Sequence, residues 1–361
     1  MPEPLKNLYN ENFISSLACF LKSTCNKFAA EDFKKGVFDS DWNQKELKGR
    51  MNHVAVMLHE NLPGSYRENI KILKPVSSHF SGLQHMVFPA YVELYGMEDF
   101  GTSMSALEHF TPNSSSEFAI RPFIKQSPKK AMQQMETWAE SSDHHVRRLA
   151  TEGCRPRLPW AMALPGFKND PRPVIKILEK LKDDENEYVR RSVANNLNDI
   201  SKDNPEMVIA LAKDWLGKDP ETDWVIKHAC RSLLKQGEPE LMAVFGFEKP
   251  GHIRIRDFKV QDIVGIGEKL KFSFKLQTQQ ESLGKLRIEY AIDFMKNNGL
   301  QKRKIFKISE SDNSGQNKEI CREHSFKLIS TRKYYPGAHG IVVIINGHEL
   351  IDGAFQLVDK I

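Results

Sequence analysis

Residues 142–153 read SDHHVRRLATEG and residues 186–197 read NEYVRRSVANNL. The two stretches align with Val146 on Val189, an offset of 43, and a weaker third copy, DWVIKHACRSLL at 223–234, places Val225 a further 36 along. In the second copy Val189, Val193, Leu197 and Ile200 recur at helical spacing and form one apolar stripe. Arg191, Asn195 and Asp199 fall about half a turn away at ~100° per residue, so the same helix is expected to carry a polar stripe opposite its core face.

Offsets near 40 with two helices per unit are the period of HEAT-type repeats, in which each helix pair buries its apolar face only by stacking on its neighbours. The repeat is expected to run from about 128 to 245. The chain before it also reads as helices. ENFISSLACFLKSTCNKF (11–28) and KELKGRMNHVAVMLHENL (45–62) both show the helical period, and Pro63-Gly64 closes the second. SYRENIKILKPV (65–76) and VFPAYVELYG (87–96) read as short helices broken at their prolines. His53, His59, His79 and His85 are too irregularly spaced for a metal-ligand set.

Near residue 250 the period changes from 3.6 to 2. KLKFSFKLQ, KLRIEYAIDF, KRKIFKIS, HSFKLIS, HGIVVIIN and AFQLV alternate as half-buried strands do, after a linker-like EKPGHIRIRDF. Asn297-Asn298-Gly299, Asn346-Gly347 and Asp352-Gly353 are the predicted turns. About seven short strands in roughly 100 residues predict an immunoglobulin-like sandwich, with Tyr335-Pro336-Gly337 as a candidate tyrosine corner. The expected architecture is therefore multidomain: an all-α HEAT-like helical-repeat solenoid over residues 1–250, followed by an all-β Ig-like sandwich over 251–361.

Composition narrows the function classes. No apolar run is long enough to span a membrane, and MPEPLKNLYNENF lacks the regions of a signal peptide, so a cytoplasmic, nucleoid-associated protein is expected. Five scattered cysteines without a C-x-x-C pair predict free thiols and neither disulfides nor zinc. Nothing resembles a P-loop or a G-x-G-x-x-G fingerprint, so no cofactor and no metal are expected. The net charge is +5, yet from Gly251 onward 19 Lys and Arg face 13 Asp and Glu, so the C-terminal region carries the whole excess. Basic clusters at Lys302-Arg303-Lys304 and Arg332-Lys333 are candidate contacts to a polyanion.

The stretch from Ser114 to Trp160 is where chemistry is expected. Between Arg121 and Trp160, eight Lys or Arg face four acids. Glu117 reads as the last residue of a capping box begun by Ser114, although Pro122 would interrupt the helix it starts. Arg147 and Arg148 lie off the core face of their helix, and Arg155 and Arg157 follow on the proline-bounded loop RPRLPW. With Arg121 and Arg191 they form a candidate phosphate-binding set. Trp138, Trp215 and Trp224 read as core anchors. Trp160, in the arginine-rich loop, reads equally as core or as a surface for a base, sugar or cation.

HHVRRLATEG, RPRLPWA, the EFAIRP segment, the repeats and the C-terminal Ig-like strands together resemble the AlkC branch of the AlkC/AlkD DNA alkylation-repair glycosylases, over nearly the whole chain. The resemblance implies a monomeric, monofunctional glycosylase that removes cationic N3-alkylated bases, 3-methyladenine and 3-methylcytosine, from double-stranded DNA without flipping the base into a pocket. It also implies that Glu117, Arg148, Trp160 and Asp199 line the lesion site, with Glu117, Trp160 and Asp199 catalytic. The chemistry is coherent: a cationic base leaves as a neutral molecule, so the enzyme can act on the sugar alone, where a carboxylate stabilises the developing oxocarbenium charge. Two other classes are weighed against it. A noncatalytic HEAT scaffold would need no special combination of Glu117, Arg148 and Trp160, and an Ig-like adhesion protein is opposed by the missing signal peptide and the odd cysteine count.

Overall fold

The computed structural model describes residues 3–299, 301–329 and 332–359. Two compact units emerge from the packing: residues 3–208 with 215–229, and residues 209–214 with 230–359. The short helices Arg231–Gln236 and Pro239–Val244 therefore group with the strands that follow them, ahead of the helix-to-strand change at Ile253.

The first unit is helical throughout. The stretches 11–28 and 45–62 form Glu11–Thr24 and Leu47–Asn61, the first started by Asn10 Oδ1 accepting from the Phe13 amide at 3.0 Å. Prolines do not break the next two helices. Pro89 sits in the first turn of Val87–Tyr95, where amides have no intrahelical acceptor, whereas Pro75 lies inside Tyr66–Ser77, which runs on to Ser77 without the Pro75 amide. The repeat pairs Pro128–Trp138 with His144–Glu152, and Arg172–Leu181 with Glu187–Ile200. The second helix of each pair stacks on the next: His144–Glu152 on Glu187–Ile200, and that on Pro220–Ala229. Their N-caps match as well, Asp143 accepting from His145 N and Asn186 from Tyr188 N. The stripe of Val189, Val193, Leu197 and Ile200 is fully buried, as its spacing predicts. The opposite stripe is not uniformly solvated. Arg191 is exposed, but Asp199 is buried because the neighbouring repeat covers the C-terminal half of the helix. Trp138 and Trp215 are core residues; Trp224 is not, being 38% exposed and stacked on His228.

The second unit is a two-sheet sandwich, Ig-like as expected. Its strands are β1 (Ile253–Val260), β2 (Ile263–Gly265), β3 (Lys269–Thr278), β4 (Gly284–Met295), β5 (Gln301–Asn313), β6 (Asn317–Ser325), β7 (Gly337–Ile345) and β8 (His348–Val358). One sheet has the order β1-β3-β6 and the other β2-β8-β7-β4-β5; among the described strands β2 and β8 pair in parallel and the others antiparallel. Inward residues such as Phe272, Phe274, Ile288, Ile292, Ile341 and Val343 fill the space between them. β1 begins inside the linker-like segment, at Ile253. HSFKLIS is not a strand: β6 begins at Asn317 and ends at Ser325, Phe326 turns into the core, Leu328 and Ile329 are exposed, and Ser330 lies outside the described residues. The outward side of NKEICREHS is charged, so an apolar search overlooks it. Asn346 (φ 46°) and Gly347 (φ 78°) make the predicted β7–β8 turn. Asp352-Gly353 lies instead inside β8, where a Cβ on Gly353 would sit 3.1 Å from the Phe258 ring. Tyr334, not Tyr335, is the buried tyrosine of the proposed corner.

His85 is fully buried beside Phe88 and Phe110, with neither ring nitrogen hydrogen-bonded among the described residues. Burial first, and the neighbouring His109 second, hold its pKa down from 6.5 to about 4. Between these values the unfolded chain carries the proton and the folded chain does not, so stability is lost as pH falls from 6.5 towards 4. His85→Phe is expected to raise Tm at pH 5 relative to the parent while changing it little at pH 7.5. Thermal melts at the two pH values check this, and an equal shift at both would contradict it.

Candidate functional site

An alternating ladder of acids and bases crosses the helical unit. Glu117 Oε2 accepts from Arg148 Nη1 at 2.7 Å, and Arg148 Nη2 lies 3.6 Å from Glu152 Oε1. The same Glu152 oxygen accepts from Arg155 Nη1 at 2.6 Å, and Arg155 Nε donates to Asp199 Oδ2 at 2.9 Å. Lys202 Nζ closes the far end on Asp199 Oδ1 at 3.0 Å. Burial alone would lower the pKa of Arg148 and Arg155, but the carboxylates outweigh it and both guanidiniums are held above their ordinary value.

Local sequence explains how each rung is placed. Ser114 ends a 3-10 turn at Thr111–Asn113, and the helix that follows begins only at Ile120, so no capping box forms. Glu117 instead lies in the connecting turn, where Ser115 Oγ donates to its Oε2 at 2.7 Å. Both donors take Oε2; Oε1 has no hydrogen-bond partner among the described residues. Pro122 falls in the first turn of Ile120–Gln126, which it does not interrupt.

The expected phosphate set divides by burial. Arg121 is fully buried, donating to the carbonyls of Met162, Gly153 and Arg155, and its pKa falls to about 10 through burial. This is a framework residue holding the loop after Gly153, with no surface to offer a phosphate. Arg147 makes a two-pronged pair with Asp184 and also donates to the carbonyls of Ser141 and Ser142. Arg190, its repeat equivalent, does the same to the carbonyls of Asp184 and Glu185. The first arginine of each V-R-R thus ties down the loop before its own helix. Arg148 and Arg155 belong to the ladder, Arg157 is partly exposed and paired with Asp203, and Arg191 is exposed and paired with Glu187.

Beside the ladder lies a half-open cleft of about 510 Å³. Glu117, Arg148, Glu152 and Arg155 line it, with Trp160 on its margin; Asp199 does not line it, being buried behind Arg155. Trp160 is 69% exposed and adopts φ 62°, one of three non-glycine residues with positive φ among those described. Holding a tryptophan in this region costs on the order of 1–3 kcal/mol and persists only where the surroundings impose it. Tyr188 stacks on Arg148, guanidinium to ring centroid 4.5 Å. Glu152, Tyr188 and Lys48 were not singled out from sequence. Glu152 reads as an ordinary i, i+4 partner of Arg148, and Lys48 comes from a helix with no motif.

On the sandwich, Lys302, Lys304, Arg332 and Lys333 line a separate hollow of about 500 Å³ together with Lys296 and with no acid in its lining. Arg303 is not among them. Strand alternation turns it to the other side of β5, where Asp293 and Glu349 neutralise it.

Residues 111–233 match the family described as DNA alkylation repair enzyme, and residues 254–359 the C-terminal Ig-like domain of the uncharacterised protein YhaZ. The chain is 46% identical over 345 residues to the uncharacterized protein YhaZ of Bacillus subtilis, covering 95% of this chain and 96% of that one. It also resembles the alkylpurine DNA glycosylase AlkC of Pseudomonas fluorescens, solved bound to DNA containing an abasic site analog. That match has a TM-score of 0.94 at 35% identity, over 99% of this chain and 100% of that one. The chain belongs to the AlkC branch of the DNA alkylation repair enzymes. In this AlkC-branch chain the cleft also draws on residues before the 111–233 match, among them Leu47, Lys48, Met51 and Met86.

Because Arg155 neutralises two buried carboxylates, Arg155→Met is expected to destabilise the full chain by on the order of 3 kcal/mol in urea denaturation. Arg157→Met removes only a partly exposed pair and is expected to cost under ~1 kcal/mol. Equal losses would show that the ladder is not a buried unit.

Proposed function

We propose that this chain is a monofunctional DNA N-glycosylase that hydrolyses the N-glycosidic bond of cationic N3-alkylated bases, 3-methyladenine and 3-methylcytosine, in double-stranded DNA. The observation that carries the reading is Glu117: its carboxylate is fixed through Oε2 by Arg148 and Ser115, beside an exposed tryptophan held in a strained conformation. The likeness to a glycosylase whose structure contains an abasic site analog supports it.

In this reading the glycosidic bond breaks with its electron pair passing to the base, which leaves neutral because the alkyl group had already made it cationic. No protein acid is needed to protonate it. The deoxyribose gains oxocarbenium character, which Glu117 Oε1 stabilises while orienting the water that adds at C1′. The Trp160 face attracts the same developing charge. Asp199, with both oxygens engaged by Arg155 and Lys202, acts through Arg155 by keeping the ladder neutral around Glu117. The base need not enter a pocket, since the chemistry is on the sugar. The basic hollow on the sandwich serves as a phosphate contact.

Glu117→Gln keeps shape and removes charge. It is expected to lower base release from a methylated duplex, without added metal, by roughly 10²-fold or more while DNA binding persists. Release at the parental rate would remove Glu117 from the mechanism. No release by either protein, with tight DNA binding retained, would favour a noncatalytic scaffold. Replacing Lys302 and Lys304 together by Ala is expected to reduce the slope of log K against log salt by about 2, at ~0.9 per phosphate contact. An unchanged slope would place the hollow away from the DNA.

A further inference from the structure

We infer that Lys48 is a positioning residue that holds Trp160 in its working conformation. Lys48 Nζ donates to the Trp160 carbonyl at 3.1 Å across 112 positions of sequence. The same ammonium lies 4.8 Å from the centroid of the Phe118 ring, next to Glu117. One cation therefore joins the turn that carries the carboxylate to the loop that carries the tryptophan.

The loop needs such a tie. Arg121, Asp199 and Asp203 tie the loop down at Arg155 and Arg157, but from Leu158 to Trp160 its remaining hydrogen bonds are local or lie beyond the tryptophan: Ala161 N to Leu158 O, Leu164 N to Pro156 O, and Arg121 Nε to Met162 O at 2.7 Å. Among the described residues the Trp160 carbonyl accepts from Lys48 alone. A non-glycine residue left to local preference would abandon φ 62° for an extended or right-handed conformation and carry its indole with it. Lys48 is also in a place that its own helix disfavours. It is the second residue of Leu47–Asn61, at the positive end of the helix dipole, where an acid is preferred. The contact that offsets this is the long-range one to Trp160 and Phe118. Burial raises the pKa of Glu93 and the same ammonium opposes that shift, so Lys48 lies near a second carboxyl.

The test uses the full chain labelled with 5-fluorotryptophan, with the Trp160 resonance assigned by its loss in Trp160→Phe. Lys48→Met is expected to shift or broaden that resonance and leave those of buried Trp138 and Trp215 in place. Lys48→Arg, which can still donate and lie over Phe118, is expected to restore it. The rate arm rests on the glycosylase reading. Single-turnover release from a duplex containing 3-methylcytosine should fall about tenfold in Lys48→Met. The same change made in a Trp160→Ala background should cost nothing further, since the two residues act as one unit. An unmoved Trp160 resonance in Lys48→Met, or rate losses that simply multiply in the double variant, would overturn the inference. Should the parent release no base at all, the glycosylase reading fails and the resonance alone decides the role of Lys48.

Discussion

The helical unit is organised around a line of buried charge. Isolated, any of Glu117, Glu152, Arg148, Arg155 or Asp199 would pay a large desolvation penalty at its observed burial. Alternation removes that problem only if every member is present and in register. The Glu117 turn, the helix His144–Glu152, the following loop and the helix Glu187–Ile200 must therefore keep fixed distances from one another. Hydroxyl contacts reinforce the same alignment: Thr151 Oγ1 meets Ser192 Oγ at 2.6 Å, and Ser192 Oγ donates to Glu152 Oε2 at 2.6 Å. Hydrophobic stacking brings the repeats together, and the ladder sets where along the stack they stop.

The repeat shows how equivalent arginines come to different partners. Arg147 and Arg190 occupy equivalent positions and bind the same kind of acceptor, the carbonyls five and six residues earlier. That duty belongs to the repeat itself. The second arginines diverge: Arg191 remains on the surface with Glu187, whereas Arg148 turns into the cleft because Glu117 and Glu152 are there to receive it. The two copies thus differ where the cleft lies.

Periodicity made the fold legible. The stripe through Val189 and Ile200, the 43-residue offset and the change of period near 250 all correspond to packed elements. What periodicity could not reveal is where a charged side chain ends. Arg121 and Arg148 look alike in sequence, but one is buried among carbonyls and the other pairs with Glu117 in the cleft. Asp199 looked solvent-facing from its own helix because its cover comes from the neighbouring repeat, 44 positions away at Arg155. Glu152 was legible only as a local partner of Arg148, while Lys48 was illegible because its partners are set by tertiary packing. Trp160 was legible as unusual, through the prolines and arginines about it, but its left-handed backbone was not.

On the glycosylase reading proposed above, the charge balance of the site would bear on how a cationic base is selected. Along the ladder, buried and half-buried, three carboxylates face two guanidiniums, and Lys202 completes the neutralisation from the protein's surface. In that reading, a cleft lined by Lys48, Arg148 and Arg155 against Glu117 and Glu152 exerts no long-range pull on a cationic base. Its attraction is local, at Oε1 of Glu117 and the face of Trp160, and strengthens as positive charge moves from the base onto the sugar. Interactions that grow between ground state and transition state accelerate the reaction, whereas those already complete on binding do not. A strongly acidic cleft would hold the alkylated base tightly before the bond breaks and gain little in rate. In the proposed mechanism, keeping the ladder paired, with one carboxylate oxygen uncommitted, places the electrostatic gain at the step where the bond breaks.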